Sequence, residues 1–364
     1  MRSSVPIERV SVESYTIPTD QPESDGTYEW DHTTIVIVTI DAGGKQGLGY
    51  TYANSETGEL IAKTLQSTIK GADALSPKAI YMAMWRKIRN LGRPGICSMA
   101  ISAVDCAVWD LKARLLGIPL VTLLGQVRKG ATVYGSGGFT SYTDTKLSEQ
   151  LSGWVEQGIQ SVKMKIGRDP TRDAERVRIA RNAIGSDADL YVDANGAYTA
   201  KQALSQAEKF AEMGVCWFEE PVSSDDLSGL RLIRDRAPVG IDIAAGEYGY
   251  DIFYFNRMLS AGAVDVQQAD ITRCGGITGF LQVAALCQAY NLPLSGHTAP
   301  AQHTHVACAV EMFKNLEYFH DHVRIERMLF DGLPALVNGE LQPDLSRPGN
   351  GLVLKHADVQ KFAA

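Results

Sequence analysis

Apolar and polar residues alternate with a period of two over residues 7–17. Residues 32–40 are dense in Thr, Ile and Val, and residues 46–52 follow the turn Asp41-Ala42-Gly43-Gly44. These patterns predict three strands. Residues 18–31, rich in Pro, Asp, Glu and Ser, read as a loop that is long for a hairpin connection. It is either a plain surface loop or a mobile, functional one. Apolar residues then recur at helical spacing over residues 58–69, 77–91 and 96–116. Strands followed by helices, without alternation, describe a small α+β unit.

The pattern changes near residue 131. Short apolar strands now alternate with amphipathic helices. The predicted strands are 131–135, 161–166, 190–193, 216–219, 241–245, 264–269, 293–296 and 316–319. Helical patterns fill the gaps at 143–157, 172–184, 200–213, 227–236, 253–259, 276–290 and 301–314. Strands with helical crossovers every ~20–30 residues indicate a parallel β/α barrel. The tail from residue 324 is Pro/Gly-rich and reads as loops and short strands that pack back on the N-terminal unit. The expected organisation is an α/β protein: an N-terminal α+β capping domain (residues 1–128, with a C-terminal return at 326–364) and a (β/α)7β TIM-like barrel (129–325).

Composition narrows the partners. The chain has 364 residues, 45% hydrophobic content and a formal net charge of −7, which argues against a general nucleic-acid or anionic-membrane surface. The six cysteines form no Cys-x-x-Cys pair and sit mostly in apolar surroundings, as reduced thiols do. Residues 1–15 lack the apolar core of a signal peptide, and no run approaches the ~18 apolar residues that span a bilayer. A cytoplasmic protein with neither nucleic-acid nor membrane partners is expected.

In a β/α barrel the C-terminal strand ends build the active site. Lys163 and Lys165 lie two apart on one strand and so share a face. Paired ammonium groups repel, and with partial desolvation this lowers a lysine's pKa toward that of a general base. The pair alone is equally compatible with an edge strand whose lysines guard against aggregation. Asp193, Glu219 and Glu247 end three successive strands. Each alone reads as a helix cap or surface acid; three in register call for a divalent cation, Mg²⁺ with Mn²⁺ as a plausible substitute. Asp270 and His297 end the next two strands, where a carboxylate can hold an imidazole in one tautomer.

Together these residues resemble the enolase superfamily and, within it, the mandelate racemase subgroup. The motifs Lys163-x-Lys165, Asp193/Glu219/Glu247, Asp270…His297 and Glu317 occur in the family's order. Asp270 stands where the muconate-lactonizing branch would carry a lysine. The resemblance implies abstraction of the proton α to a carboxylate through an enediolate, with Mg²⁺ as cofactor and a small carboxylate, an acid sugar, as substrate. It assigns Lys165 as a base on one face and Lys163 beside the substrate carboxylate, depressing the pKa of Lys165. It puts His297, oriented by Asp270, on the opposite face and makes Glu317 a protonated hydrogen-bond donor. Asn195 and Glu220 would stand behind the metal ligands or bridge to substrate. Substrate choice would come from loops near residues 18–31 and 50–56, bringing Tyr52 or Ser55 to the substrate. A homo-oligomer, often an octamer, is also implied.

Three reactions share this residue set: dehydration of an acid sugar to a 2-keto-3-deoxy acid, racemisation or epimerisation of a 2-hydroxy acid, and cycloisomerisation of a sugar lactone. Dehydration is the primary expectation. His303-Thr304-His305 raises a metal-dependent hydrolase, but it falls in a helical stretch after the seventh strand and not at the end of the first. A non-catalytic binding protein is the remaining alternative. The glycines at 135, 137 and 138 read as a tight turn, without dinucleotide context. His320 and His322, near the end of the eighth strand, read as structural or surface residues more than as residues that reach the site, Arg93 as a loop salt bridge more than as a contact to a substrate carboxylate, and Trp109-Asp110 as packing and capping.

Overall fold

The structure, a computed structural model, describes residues 4–363. Strands β1 (Arg9–Ser24), β2 (Glu29–Ala42) and β3 (Lys45–Tyr52) form an antiparallel sheet in that order. Alternate residues serve its two faces. Val36, Val38 and Ile40 pack with Ile101, Val104 and Val108 of the helix Ile96–Leu116. Ile35, Ile37 and Tyr50 instead meet Leu329, Phe330 and Leu354 of the C-terminal segment. Burial on both faces explains why residues 35–38 are apolar without a break. Gly47 and Gly49 let β3 lie directly on the long helix: a Cβ at either would stand 2.3 Å from the carbonyl oxygen of Ala107 or Ala103.

The segment at 18–31 is not a loop. β1 continues to Ser24 and β2 begins at Glu29, so the two strands extend as a hairpin with a register shift between Pro18 and Glu23. The prolines are tolerated because β1 is an edge strand whose outward N–H positions need no partner. Asp25 makes the tip: its Oδ1 accepts from the backbone N–H of Thr27 (2.6 Å) and of Tyr28 (2.7 Å). Ser24 and Thr140 then dock the hairpin on the barrel, their hydroxyls 2.6 Å apart.

Strands β4 (Ala131–Gly137), β5 (Ser161–Lys165), β6 (Asp189–Asp193), β7 (Val215–Glu219), β8 (Asp242–Ala245), β9 (Val266–Ala269), β10 (Leu294–Gly296) and β11 (Phe313–Phe319) run parallel. Pairing of β11 with β4 closes the barrel. All eight coincide with the expected strands. The helix expected over 301–314 is shorter, Pro300–Ala307, because residues from Phe313 are drawn into β11 opposite Leu294. A helix absent from the sequence reading, His320–Leu329, follows β11. Beneath the mouth, Tyr134, Tyr191 and Trp217 fill the barrel interior, the last two stacked with centroids 5.0 Å apart. Past that helix, β12 (Phe330–Asp331) pairs with β15 (Val353–Leu354), and β14 (Glu340–Gln342) lies between β4 and β13 (Ala335–Val337). Among the described residues no helix is long and apolar enough to cross a membrane.

Asp110 is a tie and not a cap. Its carboxylate, fully buried, accepts from the N–H of Leu48 (2.7 Å), the N–H of Asn350 (2.6 Å) and Nε of Arg114 (2.7 Å). One side chain thus joins β3, the long helix and the C-terminal segment. Asp110→Ala strands two buried donors and a guanidinium, and is expected to cost about 3 kcal/mol. Urea unfolding of the variant against wild type checks this, with a lower midpoint at unchanged slope expected.

Candidate active site

Strand register builds the site. Lys165 pairs with Asp193, and Asp193 with Glu219, so the ends of β5, β6 and β7 present one rung of charge. Glu247 joins them two residues beyond β8. Gly246 makes this turn at φ 138°, and a Cβ there would stand 2.1 Å from the carbonyl oxygen of Gln268. The three carboxylates are buried and each offers an oxygen within 4.8 Å of the others'.

Two lysines supply counter-charge. Lys163 Nζ donates to Glu219 Oε1 (2.5 Å) and lies 2.8 Å from Glu317 Oε1 and 3.1 Å from Asp193 Oδ2. Lys165 Nζ donates to Asp193 Oδ2 at 2.6 Å. Burial and the Lys163 charge both disfavour the Lys165 ammonium, as the sequence argument requires. The Asp193 carboxylate outweighs them, so the pKa of Lys165 is raised and not lowered. Burial likewise pushes Glu317 toward its neutral form, but the Lys163 ammonium and His297 hold it down at about 2. In the free chain Glu317 is thus surrounded by donors and favoured as an acceptor, so the protonated donor expected of it requires a ligand that offsets them. Ser136 Oγ (2.6 Å) and the Thr298 N–H (3.1 Å) donate to it.

Across the mouth, His297 Nδ1 lies 2.8 Å from Asp270 Oδ2, while Nε2 lies 3.4 Å from Glu247 Oε2 and 3.6 Å from Glu317 Oε2. Burial works against the imidazolium, but Glu247, Glu317 and the Asp270 bond together raise its pKa. Asp270 is itself fixed, its Oδ1 accepting from the N–H (2.6 Å) and hydroxyl (2.7 Å) of Thr272.

Lys165, Asp270, His297, Glu317 and Glu247 line one chamber of about 260 Å³ with Asn195 and Tyr52. Lys163, Asp193 and Glu219 lie below it, joined through the ion pairs above. Asn195 adopts φ 45° and donates its N–H to Asp193 Oδ1 (2.9 Å). Glu220, at φ 38°, faces a neighbouring cavity of about 610 Å³ that shares Asn195, Thr27 and Tyr248 with the chamber. Ser55 starts a helix and does not line the chamber.

One residue of the site, Arg273, was missed in the sequence. Arg273, one helical turn past Asp270, donates to the Glu247 carbonyl (3.1 Å) and lies 3.5 Å from the carboxylates of both Glu247 and Asp270. His322 lines the chamber, stacked on Tyr52 with ring centroids 3.4 Å apart, so of its two readings the one that reaches the site replaces the structural or surface one. Only the spacing after Asp270 hinted at Arg273, whereas the place of His322 near the end of the eighth strand offers a site role as its second reading. His320 instead pairs with Asp20 of the hairpin at 3.0 Å. Arg93 lies over the ring of Trp85 and not in a salt bridge. His303 and His305 accept from the backbone N–H groups of Ile271 and Val121. They are buried structural residues and not metal ligands.

Two family models match this chain: residues 15–125 as "Mandelate racemase / muconate lactonizing enzyme, N-terminal domain" and residues 146–359 as "Enolase C-terminal domain-like". The chain belongs to the enolase superfamily. Within the superfamily it is 33% identical to a 3,6-anhydro-alpha-L-galactonate cycloisomerase of Streptomyces coelicolor, over 98% of this chain and 99% of that protein. It superposes on a mandelate racemase/muconate lactonizing enzyme-like protein from Rubrobacter xylanophilus with TM-score 0.97 and 54% identity, covering 99% of this chain and 100% of the other. An L-talarate/galactarate dehydratase from Salmonella typhimurium, solved with Mg and L-lyxarohydroxamate, superposes with TM-score 0.91 at 26% identity, over 100% and 94% of the two chains. Members of this superfamily related to the chain thus include both acid-sugar dehydratases and cycloisomerases.

The donor set fits a hard divalent cation. All three candidate ligands are carboxylates, and Glu247 Oε2 is buried without a hydrogen-bond partner. Burial and the nearby Asp193 charge push Glu219 up to about 8. A cation therefore competes with a proton below that pH, and Mg²⁺ affinity is expected to fall as pH drops from about 8 toward 6. Calorimetric Mg²⁺ titrations across this range check the slope. Glu247→Gln is expected to weaken binding at least ~10-fold, as loss of a charged ligand does.

Proposed function

We propose that the protein is a Mg²⁺-dependent acid-sugar dehydratase. The observation that carries the reading is that a lysine and a carboxylate-held histidine face one small chamber from two sides of a buried carboxylate triad. Asp193, Glu219 and Glu247 hold the cation; Mn²⁺ has the same ligand preference and substitutes. Bound there, it supplies positive charge that stabilises the enediolate formed from the substrate carboxylate.

The protein's own groups do the rest. A cation held by Asp193 and Glu247 would offset the carboxylates that keep Lys165 charged, and burial and the neighbouring Lys163 would then favour its neutral form. Lys165 Nζ then takes the α-proton, and the C–H electron pair passes into the enediolate. Lys163 faces the substrate carboxylate. A carboxylate arriving beside Glu317 raises its pKa, so it takes a proton and donates a hydrogen bond to the other carboxylate oxygen. His297, held by Asp270, gives its proton to the β-hydroxyl. The C–O bond breaks, water leaves, and the resulting enol tautomerises to a 2-keto-3-deoxy acid. Asn195 and Glu220 support this face, and Tyr52 contacts the substrate.

The second reading is a cycloisomerase or racemase. It is supported by the 33% identity to a cycloisomerase along the whole chain, and the same base and acid serve it. A screen of hexonates, pentonates and hexarates with Mg²⁺, read by 2-keto acid formation, separates the readings. We expect a keto product from one stereochemical series, reduced about 10²–10⁴-fold in Lys165→Ala and lost on chelation of the metal. Exchange of the α-proton in D₂O without keto product points to the second reading. Absence of both overturns the proposal.

A further inference from the structure

The chamber has a charged side and an uncharged side. Every cation that lines it is already committed on the carboxylate side: Lys165 to Asp193, His297 to Asp270, and Arg273 to Glu247 and Asp270. The rest of the wall is contributed by the hairpin, β3, the end of β11 and the helix His320–Leu329 that follows it. It consists of Tyr28, Trp30, Tyr52, Phe319 and His322, with Asp25 as its one charged side chain. Asp25 is an anion whose Oδ1 is already used by its own turn.

His322 is neutral on geometric grounds. Its Nδ1 accepts the N–H of Ala299 at 3.2 Å, and a backbone N–H can only donate. The ring proton is therefore on Nε2, which has no protein partner among the described residues and is available as a donor. Burial, which pushes its pKa down to about 3, keeps it so. Tyr52, stacked flat on this imidazole, carries a buried hydroxyl without a hydrogen-bond partner. Phe319 meets His322 edge-on with centroids 5.0 Å apart and closes the back of the pair. Two polar atoms are thus held in place on rigid rings with nothing in the protein to satisfy them. Buried polar groups in that condition await a ligand's hydrogen bonds.

We infer that the chamber selects a monocarboxylic acid whose far end is neutral and hydroxyl-bearing, gripped by the Tyr52 hydroxyl and the His322 Nε2–H, and that it discriminates against dicarboxylic acids. This rests on the chamber being the substrate site of the preceding section. A second carboxylate at the far end would be desolvated against aromatic faces and Asp25 with no cation to receive it. The volume of about 260 Å³ is below that of sites for drug-sized ligands, roughly 300–1,000 Å³, which suits a single short acid.

The test is calorimetric binding to Mg²⁺-loaded Lys165→Ala, which removes the proposed base and leaves the far wall intact. D-Gluconate and D-galactonate are compared with D-glucarate and galactarate, the diacids of matching configuration. At least one monoacid is expected to bind about tenfold or more tightly than its diacid. Tyr52→Phe, added to this background, keeps the stack and removes only a hydroxyl the fold does not use. It is expected to weaken the monoacid about fivefold. Tyr28→Arg, at a side chain 67% exposed on the hairpin tip, puts a cation on the wall and is expected to shift the diacid-to-monoacid ratio about tenfold toward the diacid. Equal or tighter binding of the diacids, no binding of either, or no effect of both substitutions overturns the inference. The wild-type enzyme is then assayed in D₂O. A monoacid preference with neither keto product nor α-proton exchange sinks the proposed reaction and leaves the selectivity standing. Exchange confined to diacids does the reverse.

Discussion

The buried charge cluster at the barrel mouth is the constraint on which the rest of the structure depends. Four carboxylates, from Asp193, Glu219, Glu247 and Glu317, meet two ammonium groups, Lys163 and Lys165, almost without water. Such a cluster is costly unless every charge is compensated. Parallel strands in one register bring the charges together, and the aromatic layer of Tyr134, Tyr191 and Trp217 seals them from below. The cluster is also where the proposed reaction is placed. Its balance is between the lysines and the carboxylates, so any added cation or substrate anion redistributes the protons. The free chain holds Lys165 charged and Glu317 ionised, the opposite of what proton abstraction needs. The proposed chemistry requires ligands to shift that balance.

The barrel and the elements above it divide the work. Residues at the strand ends carry the charge, whereas the β1–β2 hairpin and β3 carry aromatic surface over the same space. Docking of the hairpin through Ser24 and Thr140, and of its base through the Arg324 bond to the Pro18 carbonyl (2.5 Å), couples this cover to the barrel. Asp110 fixes the sheet behind it. The proposed chemistry and the inferred selectivity therefore fall on different elements, which accords with a superfamily whose related members include both dehydratases and cycloisomerases.

Much of this was legible in the sequence because strand period and strand ends are local features. Lys163 and Lys165 share a face by a period of two, and Asp193, Glu219 and Glu247 are each read where an apolar run stops. What escaped depends on tertiary neighbours. The hairpin at 18–31 reads as a loop because prolines break the alternation, and only its place at a sheet edge permits them. His322 reads first as a structural or surface histidine because its stacking partner, Tyr52, is 270 positions away. The protonation states of Lys165 and Glu317 are set by ion pairs across strands, which no spacing reveals.

The most direct measurement is an anomalous difference map from crystals soaked in Mn²⁺. The account predicts one strong peak among the carboxylates of Asp193, Glu219 and Glu247, with the lysine ammonium groups withdrawn from the oxygens that the ion takes. No peak there, with Lys163 still bonded to Glu219 and Lys165 to Asp193, would mean that the lysines are the permanent counter-charge of a structural cluster. The account of the barrel mouth as a metal-dependent site of proton abstraction would then be wrong.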